Sequence, residues 1–382
     1  MGASVTSTRW GFTAWHTRGP MAYPVFDRMM TPRKRQAVSQ AAWAGLVGGF
    51  LVVTSVATAS DPLDEVKRFS DFHPAELRHV IDGDILGTRG SLINFPNGLS
   101  AQICFVTPEA PTETVRRLLD WDPLPHEALN VFAYQAMRGP CQIADFQSLN
   151  LKSNQGAIRW LLNKTLATTA GKSDLNLTHA EAEQLAACVR NHPDPQDIGA
   201  CWAELLQERV AGFERRGFDG LPPYEAAGAT VSPIAQLRGM LREQPAVASQ
   251  FGTLLRQTGL MGGARAELRT PTLYWTLFAA NHHATLSLGA IYLLPQGDHY
   301  QLMDVQYYVS GKYYVAATFC EIWPIRLGEK SGALVWRGDF VAAPTLALAK
   351  GTDRIVYGAI MLQEIKKVVR CFQDDLKAKQ IR

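Results

Sequence analysis

The sequence predicts an α+β fold, and three features carry that prediction. Residues from about 154 to 259 have helical periodicity almost throughout, the apolar period drops from 3.6 residues to two beyond Gly262-Gly263, and the chain closes on one long amphipathic stripe. A composition of 47% hydrophobic and 19% charged residues over 382 positions is that of a globular chain with a sizeable core.

Ahead of the folding part, Arg33-Lys34-Arg35 leads into an uncharged run from Gln36 to Ser60, apolar from Ala44 to Val53 and ending in the small-x-small triplet Ala57-Thr58-Ala59. A basic, then apolar, then small-residue order is that of an export signal. Residues 1–59 are therefore expected to be an export signal region cleaved after Ala59, leaving a periplasmic or secreted protein. The alternative is an uncleaved inner-membrane anchor over residues 41–59, which nearly suffices to span a bilayer. Met29 and Met30, directly before the basic cluster, mark a later start.

Charge divides at the same place. Residues 1–59 hold six basic side chains and one acid, leaving 32 basic against 34 acidic in the rest. A near-neutral body lacks the clustered cations that release counterions from phosphates, so nucleic acid is not an expected partner. Membrane contact is expected only through the N-terminal segment.

Residues 60–382 read as a single α+β domain with a helical insertion at about 154–259. Short helices at Pro62–Phe69 and Ala75–Val80 precede a polar, glycine-rich stretch, and Ala101–Val106 is a strand. Prolines and acids before Thr112–Leu119 suit a helix start, and Asn130–Met137 is a second extended stretch. Within the insertion, Thr178-His179-Ala180-Glu181 matches a capping box. Trp202, Leu205, Leu206, Arg209, Val210 and Phe213 then recur at helical spacing, and further helices are expected at Pro233–Glu243 and Val247–Gln257. All six cysteines follow the signal region. Cys188 and Cys201 flank Asn191-His192-Pro193-Asp194-Pro195, a chain-reversing connector, and are the candidate disulfide; two buried free thiols are the other reading.

Five strands follow, at Leu273–Ala280, Ala284–Leu294, Tyr300–Ser310, Lys312–Trp323 and Ala333–Val341, an antiparallel meander. The closing helix is expected over Ala343–Lys379, with Leu348, Ile355, Leu362, Val369 and Leu376 every seven residues. Gly358 in its middle costs about 1 kcal/mol relative to alanine. A sheet or a ligand is expected against that backbone.

A strand, a helix after an alanine-proline turn, a late meander and a long C-terminal helix with small inward residues together resemble the helix-grip (START-like) fold, over Ala101–Leu119 and Leu273–Lys379. The last third also resembles an uncharacterised family of exported bacterial proteins, through Tyr307-Tyr308-Val309-Ser310, Tyr313-Tyr314, Trp323-Pro324 and Val335-Trp336-Arg337. The helix-grip resemblance implies a curved antiparallel sheet gripped by the final helix, with a sterol, lipid or other apolar molecule between them. It points to Trp275, Tyr308, Phe319, Trp336, Gly358 and Leu362 as cavity residues, with tyrosine hydroxyls, Trp275 and Arg337 as polar tips. The expected function is non-enzymatic binding of a lipid-like molecule; the alternative is a structural or interaction protein with an envelope protein as partner.

Other motifs are weaker. Asn281-His282-His283 and Asp298-His299 meet if their strands pair, but adjacent histidines on a strand point to opposite faces, and they read as turn and strand-end residues rather than a metal site. Asp82 and Asp84 read as a polar turn. Ser310 lacks the glycine two residues earlier that a nucleophile elbow needs, and no phosphate-binding glycine loop is present, so no catalytic residue and no cofactor are expected.

Overall fold

A computed structural model describes residues 61–90, 95–169, 172–226, 229–262 and 270–380; the expected export signal region lies outside the described residues. Asp61 opens the first helix by accepting the Leu63 N–H, giving α1 (Pro62–Phe69), and α2 (Pro74–Ile81) follows. Next come β1 (Leu86–Thr88), β2 (Gly98–Thr107), α3 (Pro111–Leu119) and β3 (Val131–Ala136). The insertion supplies α4 (Gly156–Leu166), α5 (His179–Asn191), α6 (Pro195–Arg216), a small hairpin of β4 (Tyr224–Ala226) and β5 (Ala229–Val231), α7 (Pro233–Arg242), α8 (Pro245–Gln250) and α9 (Gly252–Gln257). The meander is β6 (Thr272–Ala280), β7 (His283–Gln296), β8 (His299–Val309), β9 (Val315–Leu327) and β10 (Lys330–Ala342), followed by α10 (Pro344–Leu348) and α11 (Thr352–Gln380).

Eight strands form one antiparallel sheet in the order β1-β2-β10-β9-β8-β7-β6-β3. The early strands thus close the meander on both sides: β2 pairs with the last strand and β3 with the first. Helix α3, which connects them, crosses over β8, β9 and β10.

Alternation along each strand splits the interior into two cores. One face of the sheet, with Trp275, Met303, Val305, Phe319, Leu334 and Trp336, packs against α1, α4, α7 and the rest of the insertion. The other, with Ile103, Ile291, Leu302, Ile322 and Val335, packs beneath α3, Trp121, Leu129 and α11.

The insertion is pinned to its face by polar contacts as well as packing. Asn176 donates to the Val309 and Tyr313 carbonyls at 2.9 and 2.8 Å, and the Tyr224 hydroxyl donates to the Tyr314 carbonyl at 3.2 Å. The expected capping box forms between Thr178 and Glu181, and Glu181 also binds buried Arg209 at 2.6 Å. Cys188 and Cys201, at the facing ends of α5 and α6, are joined by a disulfide with Cα atoms 5.9 Å apart.

The closing helix departs from its expected form. It is broken at Ala349–Gly351, where Gly351 takes φ +49°, so Leu348 is 81% exposed and Ile355 is exposed too. The buried face is Met361, Ile365, Val368, Val369, Phe372 and Leu376. Of the seven-residue set, Val369 and Leu376 are buried, Ile355 lies on the exposed first turn of α11, and Leu348 precedes the break. Helix α11 packs chiefly along β1 and β2, at one side of the sheet. The expected helix Val247–Gln257 is two short helices parted at Phe251, and the β4–β5 hairpin was not anticipated.

Candidate functional site

The six expected cavity residues do not line one space. Trp275, Tyr308, Phe319 and Trp336 lie on the insertion face, away from α11. Trp275 donates to the Asp145 carbonyl at 2.8 Å and stacks on Phe146; Trp336 packs edge-on against Phe69 with ring centres 4.8 Å apart and occupies the space left by Gly338; Phe319 packs on Phe251 and Phe340. Tyr308 faces this side because β8 carries a bulge opposite Leu288–Gly289, where one extra residue turns two consecutive tyrosines the same way. Phe213 stacks on Tyr307 at 4.1 Å, and the Arg209 guanidinium sits 4.0 Å over the Tyr308 ring. These aromatics are solid core. Gly358 and Leu362 are on α11 but at the β1 edge: a Cβ at Gly358 would touch the Arg89 stem at 3.5 Å, and the Leu362 methyl fills the place of a Cβ at Gly87. The element against the Gly358 backbone is thus a side chain of the chain itself.

The face under α3 and α11 carries a different chemistry. Asp339, Thr318 and Asp304 are successive cross-strand neighbours on β10, β9 and β8; Arg337 pairs with Cys320, and Gln306 with Gly289. Arg337 donates to Asp339 through Nε and Nη2, both at 2.7 Å, and the Thr318 hydroxyl donates to the same carboxylate at 2.6 Å. Tyr274 reaches Asp304 from β6, two strands away, with its hydroxyl 2.8 and 3.1 Å from the carboxyl oxygens. Its ring crosses directly above Gly289, where a Cβ would lie 2.1 Å from the ring. Glycine is thus required at that position for the contact to form. The Tyr313 hydroxyl donates to Gln306.

Burial sets the charge state of this group. It pushes the Asp304 carboxyl up to about 8, against the lowering effects of the Tyr274 hydrogen bond and Arg337, so Asp304 is largely protonated at neutral pH. Burial also pushes Tyr274 well above its ordinary value and Cys320 up to about 12, leaving an unreactive thiol. At Arg337 burial opposes the charge, and the Asp339 carboxylate outweighs it. The row is therefore neutral overall, with one internal ion pair and one carboxylic acid.

Burial is nearly complete on both faces. Met303, Val305, Phe319 and Trp336 are 0% exposed, and Gln306, Thr318 and Cys320 keep 3%, Asp304 4% and Arg337 5%. On the insertion face Trp323 keeps 3% and Phe69 6%, so exposure does not distinguish the two faces; in the polar row the buried Gln306 amide nitrogen has no hydrogen-bond partner among the described residues. Of these residues sequence reasoning singled out only Arg337. The signal that could have found the rest was the polar phase of β8, β9 and β10: Asp304-x-Gln306, Thr318-x-Cys320 and Arg337-x-Asp339.

The remaining motifs resolve as local structure. Asn281 and His282 form the β6–β7 turn with φ +50° and +61°. His283 and His299 start consecutive antiparallel strands at opposite ends of the β7–β8 hairpin, roughly 40 Å apart along a strand of that length, so strand pairing separates the two histidine motifs. Asp82 ends α2. Among the described residues no group of three or more metal-ligating side chains converges, and no helix is long and apolar enough to cross a membrane.

The chain defines itself, at this level, as an α+β protein with an eight-stranded antiparallel sheet covered by helices on both faces. It matches no protein-family model, no curated protein and no solved structure.

Proposed function

We propose that the protein is an exported, non-catalytic binder of a small molecule with an apolar body and an uncharged hydrogen-bonding head, held between the sheet and its α3–α11 cover. The observation that carries this reading is the buried polar row, Asp304, Gln306, Thr318, Cys320 and Arg337, in which the Gln306 amide nitrogen has no hydrogen-bond partner among the described residues, set among apolar walls that include Val115, Leu118, Ile291 and Val368. A neutral floor favours a neutral head: Arg337 is already matched by Asp339, and a protonated Asp304 offers a hydroxyl donor and a carbonyl acceptor. The order strand, helix, meander, terminal helix supports a helix-grip-like arrangement for this side of the sheet. Burial holds the one thiol in the row protonated, so Cys320 does not act as a nucleophile.

Export rests on the signal-like segment. Asp61, two residues beyond Ala59, already caps α1, so cleavage there would leave the folded part whole, and the Cys188–Cys201 disulfide suits an oxidising compartment. N-terminal sequencing of the protein from periplasm and from membranes checks this; an intact 41–59 segment in the membrane fraction gives the anchored alternative.

Native mass spectrometry of the purified chain tests the binding reading. A copurified small molecule should be present at pH 6, diminish as the pH is raised through about 8 and Asp304 ionises, and be lost from Gln306→Leu. A chain free of any bound molecule at pH 6, with wild-type and Gln306→Leu masses differing only by the substitution, removes the proposal. The second reading, an envelope interaction protein, is favoured by the exposed Leu348, Ile355 and Val356 at the α10–α11 corner. It predicts a complex that Val356→Asp abolishes while the ligand interior is unaffected.

A further inference from the structure

We propose a second binding site, independent of the interior one: the cleft between α4, the β8–β9 loop and the start of α10 takes the carboxylate or phosphate group of a small molecule, held by Lys312 and Lys164 beside the Trp160 ring. The cleft has a volume of about 330 Å³ and is lined by Trp160, Lys164, Asp174, Lys312, Pro344 and Thr345.

Lys312 is the anomaly that identifies it. Its backbone has φ +73°, the left-handed region that glycine or asparagine occupies at far less strain. Its ammonium lies 4.4 Å from the centre of the Trp160 ring, and the Lys164 ammonium lies 6.0 Å from the same centre. Lys164 is bound by Asp174 at 2.5 Å, whereas among the described residues no carboxylate stands within ion-pair distance of Lys312. Burial, and then the Lys164 charge, hold the Lys312 ammonium below the ordinary lysine value. His283, edge-on to Trp160 at 4.5 Å, is held low by burial and then by Lys312.

Lys312 keeps a left-handed backbone and stands beside a second ammonium over the same ring. Strained backbone and like charges held together persist where the surrounding structure fixes them for a purpose. Two ammonium groups and one carboxylate leave the cleft with one positive charge, and an oxyanion seated between the lysines, within reach of the Thr345 hydroxyl, would complement it. The same anion would add to Asp174 in opposing the lowering of the Lys312 pKa by burial and Lys164.

The test is a titration of the full chain followed by ¹H–¹⁵N NMR at constant ionic strength, with inorganic phosphate, acetate and chloride as separate probes. Phosphate or acetate should shift the Trp160 indole N–H and the Lys312 and Thr345 amides saturably, and chloride should not. Lys312→Asn should weaken binding at least tenfold while leaving the melting temperature unchanged or higher, because asparagine tolerates that backbone; Lys164→Met should weaken it as well. Tighter binding of phosphate than acetate assigns a phosphorylated ligand, and equal or weaker binding a carboxylate. Shifts that do not saturate, that chloride reproduces, or that survive Lys312→Asn unchanged overturn the proposal.

Discussion

The two faces of the sheet are built from the same strands and have opposite interiors. Toward the insertion, Trp275, Phe319 and Trp336 are fully buried and interlock with Phe146, Phe251 and Phe69. Toward α3 and α11, the residues one step along each strand are the buried Thr276, Thr318 or Cys320, and Arg337. The aromatic enrichment that suggests a ligand cavity is thus the chemistry of the solid side, because large rings fill space efficiently. Each side also buries an ion-paired charge, Arg209 with Glu181 toward the insertion and Arg337 with Asp339 toward α3 and α11.

The largest effects should come from breaking each face by its own mechanism. Trp336→Ala removes a fully buried ring and should destabilise by about 3–5 kcal/mol in chemical denaturation. Asp339→Ala should cost a similar 3–5 kcal/mol by removing the carboxylate that buried Arg337 binds, and Arg337→Met with Asp339→Leu should recover most of it. If the single Asp339 variant is as stable as wild type, the polar row is open to bulk water and the contrast between the faces fails.

The disulfide belongs to the solid side alone. Replacing Cys188 and Cys201 by alanine releases a closure of 13 residues and should cost about 3 kcal/mol. Ligand content measured by native mass spectrometry should not change. A loss of ligand in that variant would show that the insertion, rather than α3 and α11, governs the interior.

Asp304 gives a smaller effect with a sign fixed by pH. Its carboxyl is raised from 3.8 in the unfolded chain to about 8 in the folded one, so its contribution to stability is fully present below about pH 4 and lost as the pH rises through about 8. Asp304→Asn removes that titration. The variant should be more stable than wild type at pH 9, on the order of 2 kcal/mol, and should lose the advantage at pH 5. Equal stability differences at both pH values would show that Asp304 is ionised in the fold.

How far the sequence disclosed this arrangement follows from what each feature depends on. Local signals carried: the Thr178–Glu181 capping box, the α6 stripe from Trp202 to Phe213 and the five meander strands are set by neighbours within a few residues. Whatever depended on register across the sheet did not. Tyr274 meets Asp304 only because Gly289 stands between them, and Tyr308 faces the insertion only because of the β8 bulge, neither of which a single strand's alternation contains. The seven-residue pattern held at Val369 and Leu376 and failed at Leu348 and Ile355, since the residues that matter on α11 are chosen by the strands beneath it.

The smallest prediction tests whether the solid face is solid at its rim. Glu321 is 0% exposed on that face, where it accepts from Gln250 at 3.0 and 3.1 Å, from Gln301 at 3.2 Å, and from His299, whose ring lies over Trp323. The Glu321 hydrogen bond raises the His299 pKa, burial opposes it, and Asp298 adds to the rise. A folded-state value above the unfolded 6.5 means that the stabilisation is complete below pH 6.5 and disappears as the pH rises through the folded value. His299→Gln should therefore cost about 1 kcal/mol at pH 5.5, in line with a partly exposed ion pair, and almost nothing at pH 8.5. Thermal melts of the two proteins across that range decide it. A pH-independent difference would mean that His299 acts through packing on Trp323 alone, and that the carboxylate of Glu321 is carried by its two glutamine donors.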